Sequence, residues 1–124
     1  MNFIFSFDLT IINDESMHKI KDDFDLIIHD EHHRFGSFPK PGKATKQFKF
    51  LYSSLPMIFL SGTPHPESYS QIYHQFWVSR YSPFKEYINF YKWSHTFVDI
   101  KKRKLSHGDV NDYSNARKEL IDPI

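Results

Sequence analysis

Two short apolar runs, FDLIIH at residues 24–29 and PMIFLS at 56–61, bracket a segment whose apolar residues fall at helical spacing. The run at 24–29 is continuous rather than alternating, the pattern of a strand covered on both faces, and the second reads the same way. Between them, KATKQFKFLYSS at 43–54 sets Ala44, Phe48 and Leu51 on one helical face, with the lysines mostly elsewhere. A strand, a helix and a second strand in this order predict a right-handed crossover and a parallel sheet. The fold class expected is α/β, with strands 24–29 and 56–61 as neighbours.

The rest of the chain supplies the flanks. Residues 3–12, FIFSFDLTII, have the β-branched and aromatic content of a strand, and Asn13-Asp14 offers a cap for a short helix or turn over 14–21. Gly36, Pro39, Pro41 and Gly42 make RFGSFPKPGK a loop. Two aromatic-rich helices are expected between Glu67 and Phe97, broken near Ser82-Pro83, where ring spacing reads as core packing. VDIKKRKLSHGDVNDY predicts a hairpin turning at His107-Gly108-Asp109, and a short helix over 114–121 closes the chain. At 124 residues this is one domain at most. An aromatic content of 18%, with thirteen Phe and seven Tyr, argues for a packed chain over a disordered one. Cysteine is absent, which excludes a disulfide framework and any Cys-based zinc site.

A net charge of +1 hides an uneven distribution. No acid stands between Glu31 and Glu67, while Arg34, Lys40, Lys43, Lys46 and Lys49 supply positive charge. Lys101-Lys102-Arg103-Lys104 forms a second basic run. Such patches either hold phosphate backbones or are solvated faces. Arg34, Lys40, Lys43 and Lys46 are the candidate nucleic-acid contacts. The start, MNFIFSFDLTII, lacks a basic leading region, carries Asp8 within its apolar run and offers no small-residue cleavage site. It does not read as an export signal, and no apolar stretch approaches the roughly twenty residues that cross a membrane. An intracellular, cytoplasmic protein is expected.

In parallel sheets, ligands gather beyond the carboxyl ends of the strands, and two unusual motifs fall there: DEHH at 30–33 and SGTP at 61–64. A carboxylate at a strand end can hold Mg²⁺, and a second acid beside it can orient an attacking water. Asp30 and Glu31 have the types and adjacency for that division of labour, which suits phosphoryl transfer. A Gly-rich phosphate loop of the GxxxxGK[ST] form is absent: GKAT at 42–45 has no earlier glycine at the needed spacing. The histidines allow a competing reading, a small metal-dependent phosphohydrolase with His29, Asp30, His32 and His33 around Zn²⁺ or a similar ion.

FDLIIHDEHHRFG resembles the Walker B segment of superfamily-two helicases and Swi/Snf-like translocases, and IFLSGTPHPES resembles their motif III. LTIINDESMHKI is similar to the strand and turn before Walker B in Swi/Snf-like members, although Asp14 is unusual there. SQIYHQFWVSRYSPFKEYINFYKW resembles the aromatic helices that follow motif III. The resemblance covers most of the chain and implies a partial RecA-like domain over 1–124, a parallel sheet flanked by helices, with an aromatic helical extension and a small hairpin.

By that resemblance Asp30 coordinates the Mg²⁺ of Mg–ATP and Glu31 is the catalytic base. His33 matches the histidine that couples the nucleotide site to motif III, and Ser61, Gly62 and Thr63 form the coupling element. His32 stands where the family usually has alanine. The implied cofactors are ATP and Mg²⁺ in a complete protein, and the implied partner is DNA, with RNA as the other nucleic acid open to it. The Walker A half of the domain and the second RecA-like domain with its arginine finger would come from elsewhere, in the same or a separate chain. The isolated chain is expected to be inactive. A non-catalytic remnant that binds nucleic acid or a partner is the alternative.

Overall fold

The computed structural model describes residues 8–19 and 23–124. The predicted parallel pair with an intervening helix forms. Strand β1 (Ile27–His29) and strand β2 (Met57–Phe59) pair in parallel, with Ile27 opposite Met57, Ile28 opposite Ile58 and His29 opposite Phe59. Both are shorter than the apolar runs that contain them. The ladder opens at Pro56, whose carbonyl accepts from the Ile27 N–H, and continues past β1, where the Leu60 carbonyl accepts from the His32 N–H. Helix α1 (Lys43–Tyr52) connects the two strands.

Among the described residues the sheet packs on one face, where both strands were expected to be covered on two. Ile27, His29, Met57 and Phe59 turn toward a cluster of Met17, Phe35, Phe48 and Val78, whereas Leu26, Ile28, Ile58 and Leu60 alternate outward and are exposed. Residues 8–14 border a groove together with Leu26 and Ile28 of that second face. Residues 3–7 of the strand expected at 3–12 lie outside the described residues, and residues 8–12 form no strand. Of the helix or turn expected at 14–21, Asp14–Lys19 form a 3₁₀ helix, and residues 20 and 21 lie outside the described residues.

The aromatic content has its use in a second cluster. Helix α2 (Ile72–Trp77) and helix α3 (Phe90–Phe97) are joined by turns through Ser82-Pro83, and both are shorter than expected. Tyr73, Phe84, Phe90, Trp93, Phe97, Val98 and Ile121 bury one another, and the Trp93 and Phe97 rings stack 5.2 Å apart. Rings supply much apolar area per residue, which lets helices this short hold a core. Gly36 lets the chain after β1 approach this region: a Cβ there would lie 2.9 Å from Gln71 Cβ.

The basic run forms hairpin strand β3 (Lys101–Leu105), paired antiparallel with β4 (Gly108–Asp112) through a turn at Ser106-His107. Gly108, at φ +136°, supplies backbone freedom that a side chain would oppose. The closing helix α4 is only Lys118–Ile121, because Ala116 forms a β-bridge with Val98 and the Asn115 carbonyl accepts from the Asp99 N–H. The fold is thus mixed α/β with two small sheets of two strands, one parallel and one antiparallel. Among the described residues no helix is long and apolar enough to cross a membrane.

Candidate functional site

The site is built where β1 ends. Asp30 is exposed, and its Oδ1 accepts from the Glu31 N–H at 2.9 Å. Glu31 takes the left-handed conformation, φ 53° and ψ 42°, which costs a residue with a side chain on the order of 1–3 kcal/mol. That reversal launches a 3₁₀ turn over His32–Phe35. Neighbours in such a turn are about 120° apart and residues three apart are eclipsed. His32 and Phe35 accordingly both point into the core, each 2% exposed. His33 is thrown to the other side, toward β2.

There the two motifs meet. His33 Nδ1 is hydrogen-bonded to Ser61 Oγ at 2.7 Å and lies 3.3 Å from Glu31 Oε2, so one ring nitrogen stands between the two oxygens. Asp30, Glu31 and Arg34 line a groove of about 540 Å³ that runs past β1 and Asp8–Asp14. Gly62 and Thr63 are exposed beyond Ser61, with open space around Gly62. Lys40, Lys43 and Lys46 are exposed and do not line the groove. Lys49 is turned inward: its Nζ donates to the Trp77 carbonyl at 2.8 Å and sits 4.6 Å from that ring's centre. Burial lowers its pKa, so it is a packing lysine rather than part of a phosphate surface.

Beneath the site runs a buried relay. His29 Nε2 lies 2.8 Å from Asp14 Oδ1, His29 Nδ1 lies 2.9 Å from His32 Nδ1, and His32 Nε2 donates to the Gln75 carbonyl at 2.5 Å. Three hydrogen bonds ending on a carboxylate and a carbonyl need three protons, and two neutral imidazoles hold only two. Burial pushes the His32 pKa down to about 4, opposed in part by the Gln75 carbonyl. The Nε2 side of the His29 ring faces the Asp14 carboxylate, and its Nδ1 side faces His32. The His32 ring stacks on Phe59 at 3.6 Å.

Both ring nitrogens of His29 and of His32 are engaged, and His33 faces Ser61. Among the described residues no three His, Asp or Glu side chains gather in a way that holds a metal ion. Asp30 and Glu31 both keep exposed carboxylates, the oxygen-donor type that a hard cation such as Mg²⁺ prefers.

Two participants were not singled out from the sequence. Asp14 read as a helix cap, yet it pairs with His29. Gln75 lies in the aromatic segment of α2, where its side chain donates to the Pro64 and Gln71 carbonyls while its own carbonyl receives His32. Gln75 thereby links the SGTP loop to the DEHH turn. Its one signal was a buried amide among rings, at a position where a polar side chain must find partners. Comparison of the chain with known protein families, with curated proteins and with solved structures gives no match.

Proposed function

We propose that this chain is part of an ATP-dependent DNA helicase or translocase of the superfamily-two, Swi/Snf-like kind, carrying the Mg–ATP hydrolysis and coupling elements of a partial RecA-like domain. The observation that carries the reading is the 2.7 Å contact of His33 with Ser61, which joins the segment resembling Walker B to the one resembling motif III. The parallel register of β1 and β2 supports it, since both motifs then leave the sheet at the same carboxyl edge.

In this reading Asp30 offers its exposed carboxylate to the Mg²⁺ of Mg–ATP, and Glu31 orients the attacking water. Bound Mg²⁺ supplies charge neutralisation at the phosphates. His33 touches both the Glu31 carboxylate and Ser61, so a change in the Glu31 environment reaches the SGTP segment through one side chain. Ser61, Gly62 and Thr63 carry that change outward. Arg34, Lys40, Lys43 and Lys46 would follow a nucleic-acid backbone. Among the described residues Leu26, Ile28, Ile58 and Leu60 are exposed, and an apolar set of this kind suits further structure packed against it. The half-domain with the phosphate loop is the occupant this reading requires. That same face also favours the second reading, a non-catalytic module that docks on a partner.

The test begins with the coding frames on both sides of this segment and the longest polypeptide they encode. A Gly-Lys-Thr loop upstream and DNA-stimulated phosphate release that Glu31→Gln removes are the expected results. No phosphate loop in any continuing frame, with partner binding that ignores ATP, selects the second reading. The 124-residue chain alone lacks the phosphate loop and is expected to release no phosphate above background, with or without DNA.

A further inference from the structure

The β3–β4 hairpin plays no part in the ATP chemistry, yet it is the most basic segment of the chain. Lys101, Lys102, Arg103 and Lys104 are all exposed, and none makes an ion pair among the described residues. Its root is fastened: Ser68 Oγ and Ser70 Oγ donate to the Ser114 and Tyr113 carbonyls, and Arg117 pairs with Asp99 at 2.9 Å. A ribbon held at its base and charged along its length is pre-organised to grip something, because little ordering remains to be done.

The two faces of the ribbon differ. Strand alternation places Lys101 and Arg103 on one side with Asp112 and Val110 opposite them. Lys102 and Lys104 share the other side, opposite Asn111 and Asp109. On this second face Asn111 Nδ2 donates to Tyr113 Oη at 3.3 Å, and the Tyr113 ring packs 5.8 Å from Tyr91, which is 39% exposed. Lysines, a side-chain amide and an accessible ring thus share one side of the ribbon, with Asp109 opposite Lys104 the one acid among them. The exposed apolar residues of the hairpin, Leu105 and Val110, fall on the opposite face.

We propose that the strip of Lys102, Lys104, Asn111, Tyr113 and Tyr91 binds single-stranded nucleic acid, the lysines holding phosphates and Tyr91 stacking a base. Lys102 and Lys104 stand about 7 Å apart along the strand, a spacing that can follow an extended phosphate backbone. A ring beside them favours a single strand over a duplex, whose base faces are closed by stacking. An acidic protein fits less well, since this face carries no exposed aliphatic side chain to serve as the apolar anchor that stable protein contacts use. An anionic membrane fits less well too, because the apolar residues face away from these lysines.

The experiment measures binding of the 124-residue chain to a fluorescein-labelled oligothymidine of about twenty nucleotides by anisotropy, without nucleotide, across salt concentration. Lys102→Ala/Lys104→Ala should lower the slope of log K against log salt by about 1.4, two phosphate contacts on a single strand. Tyr91→Ala should weaken binding by about five- to a hundred-fold with the slope kept, and Tyr91→Phe should restore it. Lys101→Ala/Arg103→Ala removes the same charge from the other face and should change the slope much less. Circular dichroism checks that these surface variants stay folded. Equal losses from both faces overturn the proposal, as does absent binding. Equal affinity for a duplex, or displacement by oligoglutamate or phosphatidylserine vesicles at equal charge, assigns the strip to another partner and also overturns it. No ATP is present, so this result and the fate of the Glu31 reading are independent.

Discussion

His33 and Ser61, 28 positions apart in the chain, meet through a hydrogen bond of 2.7 Å at the shared edge of β1 and β2. Neither side chain reaches the other by being in a strand. His33 is placed by the 3₁₀ turn that Glu31 initiates, and Ser61 by the end of the parallel ladder two residues beyond Phe59. The contact therefore reports on two local structures at once. A small error in either would separate the pair.

A double-mutant cycle measures that contact. His33→Ala and Ser61→Ala, singly and together, should show a coupling of about 0.5–1.5 kcal/mol in urea denaturation of the isolated chain, the range of one partly solvated hydrogen bond. Strict additivity within about 0.3 kcal/mol would mean that the two side chains do not interact in solution, and the link between the motifs would be lost.

Glu31 offers a sharper contrast between stability and chemistry. Its left-handed backbone is unfavourable for glutamate and natural for glycine. Glu31→Gly should raise stability by about 1 kcal/mol, or at least cost nothing, despite losing the His33 contact. Glu31→Gln, with the same backbone demand, should change stability by less than about 0.5 kcal/mol. Stabilisation by removing a side chain is common where that side chain is kept for function. Marked destabilisation of Glu31→Gly would show that the turn does not need this conformation.

How much of this was legible before any coordinates follows from which signals are local. The β1–α1–β2 crossover and the hairpin came through because apolar periodicity and turn residues are carried by neighbouring positions. The strand content of residues 8–12 did not: Leu9, Ile11 and Ile12 have the residue types of a strand but, among the described residues, no pairing partner. For the same reason the apolar runs overstate the sheet, since Leu26 and Ile28 look buried in sequence and are exposed in the fold. The DEHH segment located the site, yet sequence could not divide its histidines. Which of His32 and His33 faces the core depends on one backbone reversal at Glu31 and on the arrival of Gln75 from 43 positions away. Lys49 was counted with the basic patch until its contact with Trp77 turned it inward.

Buried histidines make a pH prediction. Burial holds His74 at a pKa of about 4 against an ordinary 6.5, its Nδ1 donating to the Ser37 carbonyl, and His32 is lowered in the same direction. Between those values the unfolded chain binds protons that the folded chain refuses. Stability is therefore fully present above the ordinary histidine pKa and is lost as pH falls toward 4, at up to about 1.4 kcal/mol per pH unit for each group. Urea midpoints taken from neutral pH downward should fall steadily through that window. A midpoint that stays level or rises on acidification contradicts the burial of these rings.

The remaining prediction separates the two chemistries that the DEHH segment suggested, in the longest polypeptide that contains it. If Asp30 holds Mg²⁺ and Glu31 orients water, Glu31→Gln should keep nucleotide affinity and slow turnover by about a hundred- to ten-thousand-fold. Asp30→Asn should instead weaken the metal–nucleotide complex, and its defect should shrink as Mg²⁺ is raised. The histidine-metal chemistry makes the opposite demand: His32→Ala and His33→Ala would release a tightly held ion, and Glu31→Gln would do little. In the structure His32 is spent on Phe59 and the Gln75 carbonyl, so His32→Ala should cost stability through a cavity, roughly 2–4 kcal/mol, without changing metal content. Elemental analysis, nucleotide titration and turnover on the four variants give four distinct signatures. Unchanged turnover in Glu31→Gln removes the catalytic role assigned to Glu31, however closely its neighbours match the motif.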